Sequence, residues 1–197
     1  MKLVLTLLLL LLAPPLWALK FYPMSITFSP VRGENKLIFV ENDSKDPIAI
    51  QITVAKREMN LSGEEQHPVT SDFKLFPSQL ILKAGQKRAI RLALSQIEST
   101  KDEIPYRIIV EQLPIKLKKK KKQGASIKVL FRYIGSLYVT PSESKSDVGV
   151  TMTVVDPDQK HLRIRLENRG GRHQILKKLK LMIISGKERL QLTGEQL

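Results

Sequence analysis

From Ile48 to Val54 the chain places Ile48, Ile50, Ile52 and Val54 on one side and Ala49, Gln51 and Thr53 on the other. Successive side chains of an extended chain point to opposite faces, so period two over seven residues predicts a half-buried strand. Shorter stretches read the same way: Ser25–Phe28, Lys36–Val40, Phe73–Phe76, Gln79–Leu82, Arg88–Leu94 and Tyr106–Leu113. Turn formers punctuate them, with Glu41-Asn42-Asp43-Ser44 closing one strand and Lys83-Ala84-Gly85-Gln86 joining two others. Residues 56–72 are polar and contain Gly63 and Pro68, which predicts a loop or a ragged hairpin. Ala125 to Thr140 is the longest β-rich stretch. Pro141 and Ser142–Asp147 read as a linker, and Val148–Val155, Leu162–Leu166 and Leu179–Ile184 follow as three further strands. A helix over Gln174–Met182 competes with the alternation of Leu179, Leu181 and Ile183, which argues for strand.

About seven strands precede Pro141, at the spacing of an immunoglobulin-like sandwich. The expected fold class is therefore all-β: an immunoglobulin-like β-sandwich over 19–141, then a partial second β-sandwich over 142–197. The second region starts the strand pattern again and reaches Leu197 with several strands of a sandwich still wanting. An incomplete sandwich exposes its edges, which predicts weak stability or lost activity.

The first eighteen residues belong to a different grammar. Met1-Lys2 is a short basic start, Leu3–Leu12 is almost continuously apolar, and Ala13-Pro14-Pro15 leads to Ala18 at the expected cut. This is the layout of a secretory signal peptide, too short to span a bilayer as a helix. The mature chain is expected to be exported and soluble. Cysteine is absent, which excludes thiol chemistry, disulfide staples and cysteine-based zinc sites.

The formal net charge of +14 is concentrated rather than diffuse. Residues 20–141 hold 21 lysines and arginines against 12 acids, and six of those cations are Lys116 and the run Lys118, Lys119, Lys120, Lys121 and Lys122. Five adjacent lysines repel one another and read as a solvated loop able to touch anionic lipid or an acidic partner. Nucleic acid is not expected, because the chain is exported and no aromatics interleave with the lysines as stacking platforms. His67, His161 and His173 lack metal-ligand spacing, and no glycine-rich phosphate loop follows a strand. No cofactor, metal or enzymatic activity is expected.

Taken in order, several stretches resemble the periplasmic pilus (fimbrial) chaperones. Phe39-Val40-Glu41-Asn42 through Pro47–Gln51 is similar to an early strand pair of that family, and Phe76-Pro77 through Leu92 to its proline, turn and strand segment, with Ala84 where proline is usual. Tyr106–Pro114 resembles the strand that ends in a proline, and Ile127–Tyr133 running on to Pro141 the last strand of the first domain. Leu166-Glu167-Asn168-Arg169-Gly170 resembles an Asn-containing turn of the second domain.

The resemblance implies a chaperone that lends its last first-domain strand, about 125–133, to a pilus or fimbrial subunit with an open sheet edge. One face of that strand is Ala125, Ile127, Val129 and Phe131; the other is Ser126, Lys128, Leu130 and Arg132. It also implies two basic residues that hold the subunit's terminal carboxylate. Lys128 matches the first, with Arg132 as fallback; the second lacks its arginine near Ser25–Pro30, and Arg32 lies a few residues late. The lysine tract is a further departure, since lysines cannot plug an apolar groove. An outer-membrane usher, weak contact with anionic membrane and a self-capping oligomer remain open as partners. Two rival functions are an immunoglobulin-like adhesion or structural module of the cell surface and a polyanion binder built on the tract.

Overall fold

A computed structural model describes residues 19–95, 97, 100–115, 129–154 and 162–196. The expected signal peptide, the lysine tract and the residues Ala125, Ile127 and Lys128 lie outside them. The chain divides into two compact units, one holding the described residues of 19–98 and 105–139, the other those of 99–104 and 140–197.

The first unit is a sandwich of two sheets. One has four strands in the order β1 (Leu19–Tyr22), β3 (Asn35–Asn42), β9 (Lys87–Leu94) and β7 (Phe73–Phe76), all antiparallel. The other has five, in the order β2 (Ser25–Phe28), β11 (Arg132–Val139), β10 (Ile104–Leu113), β4 (Ile48–Lys56) and β8 (Gln79–Leu82). β2 runs parallel to β11, whereas β10 with β4 and β4 with β8 are antiparallel. Two small strands, β5 (Glu58–Met59) and β6 (Glu65–Gln66), form a hairpin inside the polar stretch after β4.

The alternation read from sequence is the alternation of burial. Ile48, Ile50, Ile52 and Val54 of β4 all face inward, as do Ile90, Leu92 and Leu94 of β9 and Leu137 and Val139 of β11. Phe73 bridges the two sheets, meeting Phe28 edge-on at 5.3 Å and Tyr106 edge-on at 5.1 Å. The Tyr106 hydroxyl donates to Asp72 at 2.8 Å. Burial, seconded by that hydrogen bond to a carboxylate, pushes the phenol well above its ordinary range. The turn between β8 and β9 places Gly85 at φ +68°, a left-handed conformation that costs glycine nothing.

The second unit is thinner. β12 (Val148–Val154) pairs with β13 (Leu162–Asn168), and β14 (Lys180–Ser185) pairs with β15 (Glu188–Thr193) across a turn at Gly186-Lys187. A single 3-10 turn, Leu176–Lys178, precedes β14, so the stretch weighed between helix and strand holds both. Asn168 organises the loop after β13: its Oδ1 accepts from the backbone of Asp147 and Gly170, and its Nδ2 donates to the Arg172 carbonyl. Glu103, nearly buried, accepts from Thr140 Oγ1 at 2.6 Å and from the backbone of His173. All buried hydrophobic side chains among the described residues lie between Leu19 and Val139, so this unit is a pair of hairpins and not a full sandwich.

β1 and β15 are strands that the sequence pattern had not indicated, while the β5–β6 hairpin lies in the stretch expected to be a loop or a ragged hairpin. Among the described residues β11 begins at Arg132; the expected strand around Ala125 lies in part outside them.

Candidate functional site

β11 has the two sides of its backbone in different situations. On one side it neighbours β10, and the Gln112 amide donates to the Phe131 carbonyl just ahead of it at 2.8 Å. On the other side β2 accompanies it only from Ser136 to Val139. Among the described residues, Arg132–Gly135 therefore carries an open edge, with backbone groups that an extended partner chain can pair. β2 cannot extend this cover, because the chain turns at Pro23-Met24 and crosses to the other sheet as β1.

The residues leading into that edge are apolar and poorly covered. Val129 is 62% exposed, Leu130 43% and Ile134 40%. Phe131 is half-buried and stacks on Tyr133 at 6.4 Å, and the Tyr133 hydroxyl donates to the carbonyl of Leu19. Val129 and Phe131, with Leu19, Pro47, Ile48 and Ile115, line a groove of about 220 Å³ where β10 ends and β11 begins. Asn42 supports this end from beneath: its Nδ2 donates to the carbonyls of Asp46, Leu82 and Lys83, and its Oδ1 accepts from Ser44. Further along β11, Gly135 is packed so closely that an added Cβ would lie 2.9 Å from both Ile108 Cγ2 and Phe21 Cε1. Only glycine lets the strand run this close to the core.

The outward face of β10 and β11 is charged and self-paired. Arg132 Nε contacts Glu111 at 2.8 Å. Glu65, from β6, is gripped by Arg107 of β10 in a two-pronged contact at 2.6 and 3.0 Å. Arg57 at 2.6 Å and His67 at 3.1 Å complete its surroundings. The hydrogen bonds from Arg107, with His67 and Arg57 behind them, hold the Glu65 carboxyl down at about 2 against the partial burial that opposes it. Among the described residues no cluster of three or more His, Asp or Glu gathers as a metal site, and no helix is long and apolar enough to cross a membrane.

Residues 26–145 match the family described as pili and flagellar-assembly chaperone, PapD N-terminal domain. The chain belongs to that family. Solved structures agree on the fold. The class 5 fimbriae chaperone CfaA superposes with a TM-score of 0.62 at 20% identity, over 89% of this chain and 79% of its own. The SafB chaperone of Salmonella enterica, solved in complex with the SafA pilin, gives 0.59 at 14% identity, over 90% and 81%. The E. coli chaperone DraB gives 0.58 at 17% identity, over 90% and 82%. No curated protein sequence is a significant match.

Within this pilus-assembly chaperone the anticipated residues fall unevenly. Val129 and Phe131 come together at the groove, whereas Ala125, Ile127, Lys128 and the lysine tract lie outside the described residues. Arg132 spends its guanidinium on Glu111. Arg32 sits in the loop between β2 and β3, beyond Phe28, whose register partner is Val139. Arg132 lies seven residues before Val139, roughly 23 Å away at 3.3 Å per residue. Tyr133 and the open edge at Arg132–Gly135 were not singled out from sequence, because strand neighbours cannot be read from a single strand's pattern.

Proposed function

We propose that this chaperone caps a pilus or fimbrial subunit by strand donation from the segment around 125–133. The observation that carries the reading is the open edge of β11 at Arg132–Gly135, continuous with the exposed apolar residues Val129 and Leu130. An extended edge supplies backbone hydrogen bonds of generic affinity, and side chains at alternate positions supply specificity. Ala125, Ile127, Val129 and Phe131 are the side chains offered to the subunit's open core. Burying the three larger ones would contribute roughly 5–9 kcal/mol before ordering costs, at roughly 1.5–3 kcal/mol each.

Lys128 is assigned to the subunit's terminal carboxylate. Arg132 is the fallback for that role, and Arg32, in the loop between β2 and β3, is the candidate for the second cation of the clamp. The remaining parts of the reading follow from the chaperone role: residues 1–18 direct export, the mature chain works in the periplasm without catalysis, and an outer-membrane usher receives the loaded complex.

The test is co-purification from periplasm with the pilus-type subunits of the same organism, comparing wild type with Ile127→Asp/Val129→Asp. Wild type is expected to carry a subunit and the double variant to lose it while keeping its β-sheet circular dichroism and melting temperature. A folded wild type that brings down no subunit would sink the proposal. Salt separates it from polyanion binding, since donation of an apolar strand should hardly respond between low and moderate ionic strength, where a polyanion complex weakens steeply.

A further inference from the structure

The outward face of the four-stranded sheet has a composition that strand donation does not use. Register places Phe76, Arg91 and Leu37 side by side across β7, β9 and β3, and Lys74, Ala93 and Asn35 in the neighbouring row on the same face. Further along, Lys87 lies over the stacked rings of Tyr22 and Phe39, at 5.0 and 4.7 Å from their centroids. Phe76 is 78% exposed and Leu37 54%. Phe76 and Leu37 thus flank Arg91 in one cross-strand row, two large exposed apolar side chains on either side of a cation.

At the β1 end of this face the charges are mixed, with Glu41 in register with Lys20 and Lys87, whereas the charges gathered around Arg91 are cations. Arg32, Lys74 and Arg91 line a common groove of about 370 Å³ to which, among the described residues, no carboxylate contributes. Among the described residues none of the three is ion-paired, in contrast to Arg57, Arg107 and Arg132 on the other sheet. Arg91 donates its Nε to Asn35 Oδ1 at 2.8 Å, which aims the guanidinium while leaving its terminal nitrogens for an anion. Three unneutralised cations converging on one groove repel one another until an anion joins them.

We propose that this face docks on a membrane surface bearing anionic phospholipid, with Arg32, Lys74 and Arg91 taking headgroup phosphates and Phe76 and Leu37 resting at the acyl boundary. A lipid surface is favoured over an acidic peptide by geometry. Cations and apolar side chains are spread in rows over the face of the sheet, matching a planar array of anions over hydrocarbon. A peptide would instead pair backbone groups along one strand edge.

The test is co-sedimentation of the full chain with vesicles of phosphatidylcholine alone or mixed with phosphatidylglycerol. Wild type should pellet with the mixed vesicles only, and less so as salt rises. Arg32→Gln/Lys74→Gln/Arg91→Gln should weaken binding about a hundredfold, from the roughly fivefold that each basic residue near an anionic surface contributes. Phe76→Ser/Leu37→Ser should weaken it severalfold with the salt dependence retained. These positions are exposed or partly exposed at the surface, and an unchanged thermal melt checks that each variant folds. A third variant with glutamine at Lys118–Lys122 controls for the lysine tract and should still bind. The proposal is overturned if the triple variant binds like wild type, if the tract variant alone abolishes binding, if inorganic phosphate displaces the protein completely, or if an acidic peptide is retained where vesicles are not.

Discussion

Asn42 is fully buried at the end of β3 and makes hydrogen bonds with both ends of its amide. Its Nδ2 serves the carbonyls of Asp46, Leu82 and Lys83, and its Oδ1 orders the backbone and hydroxyl of Ser44. One side chain thus ties the β3–β4 turn to the end of β8. Asn42→Ala would strip a buried carbonyl of its donor and free the turn, at a cost of about 2–4 kcal/mol. Urea unfolding should show a lower midpoint with an unchanged slope. A loss below about 0.5 kcal/mol would mean that the turn holds itself. From sequence Asn42 was only a turn former; its burial and its three carbonyl partners exist only once β8 is folded against it.

At the scale of elements, Glu65 fastens the β5–β6 hairpin to β10 through Arg107, and Arg107 in turn donates to Ser136 of β11 at 2.7 Å. The carboxyl is held at about 2 in the folded chain, against 4.5 for an ordinary glutamate. Since the folded state keeps this group ionised where the unfolded state takes up a proton, its stabilisation is complete above about pH 4.5. It drains away as pH falls toward about 2. Unfolding measured across that window should show stability declining with acid, and Glu65→Gln should flatten the decline. An identical slope in the variant would show that other carboxylates set the acid response. The hairpin itself lay inside a stretch read as loop or ragged hairpin, where two-residue strands leave no period to detect.

At the scale of the whole molecule, apolar burial is unequal between the units. Among the described residues every buried hydrophobic side chain is in the first unit, while β14 and β15 carry none. Opening free energy follows buried apolar contact, so hydrogen exchange should be slowest in β3, β4, β9 and β10 and fast in β14–β15. Equal protection of both units would contradict this distribution. The thin second unit agrees with the partial sandwich expected from its strand pattern, and the family match carries the chaperone function.

The two-residue alternation of Ile48–Val54 and Arg88–Leu94 was legible by itself as strand and marked Ile48, Ile50, Ile52, Val54, Ile90, Leu92 and Leu94 as core. Ala49 on the opposite face of β4 and both Ile108 and Ile109 of β10 are buried too. Burial is decided one side chain at a time, and an extended chain has only two faces. The order and spacing of those strands also carried the family resemblance. Tertiary structure alone decided that β2 stops short along β11 and leaves its edge open, and that Arg32, Lys74 and Arg91 share a groove. Each of these is a relation between strands distant in sequence, set by register and sheet order. A single strand's pattern specifies which face turns inward, but not which neighbour lies beside it.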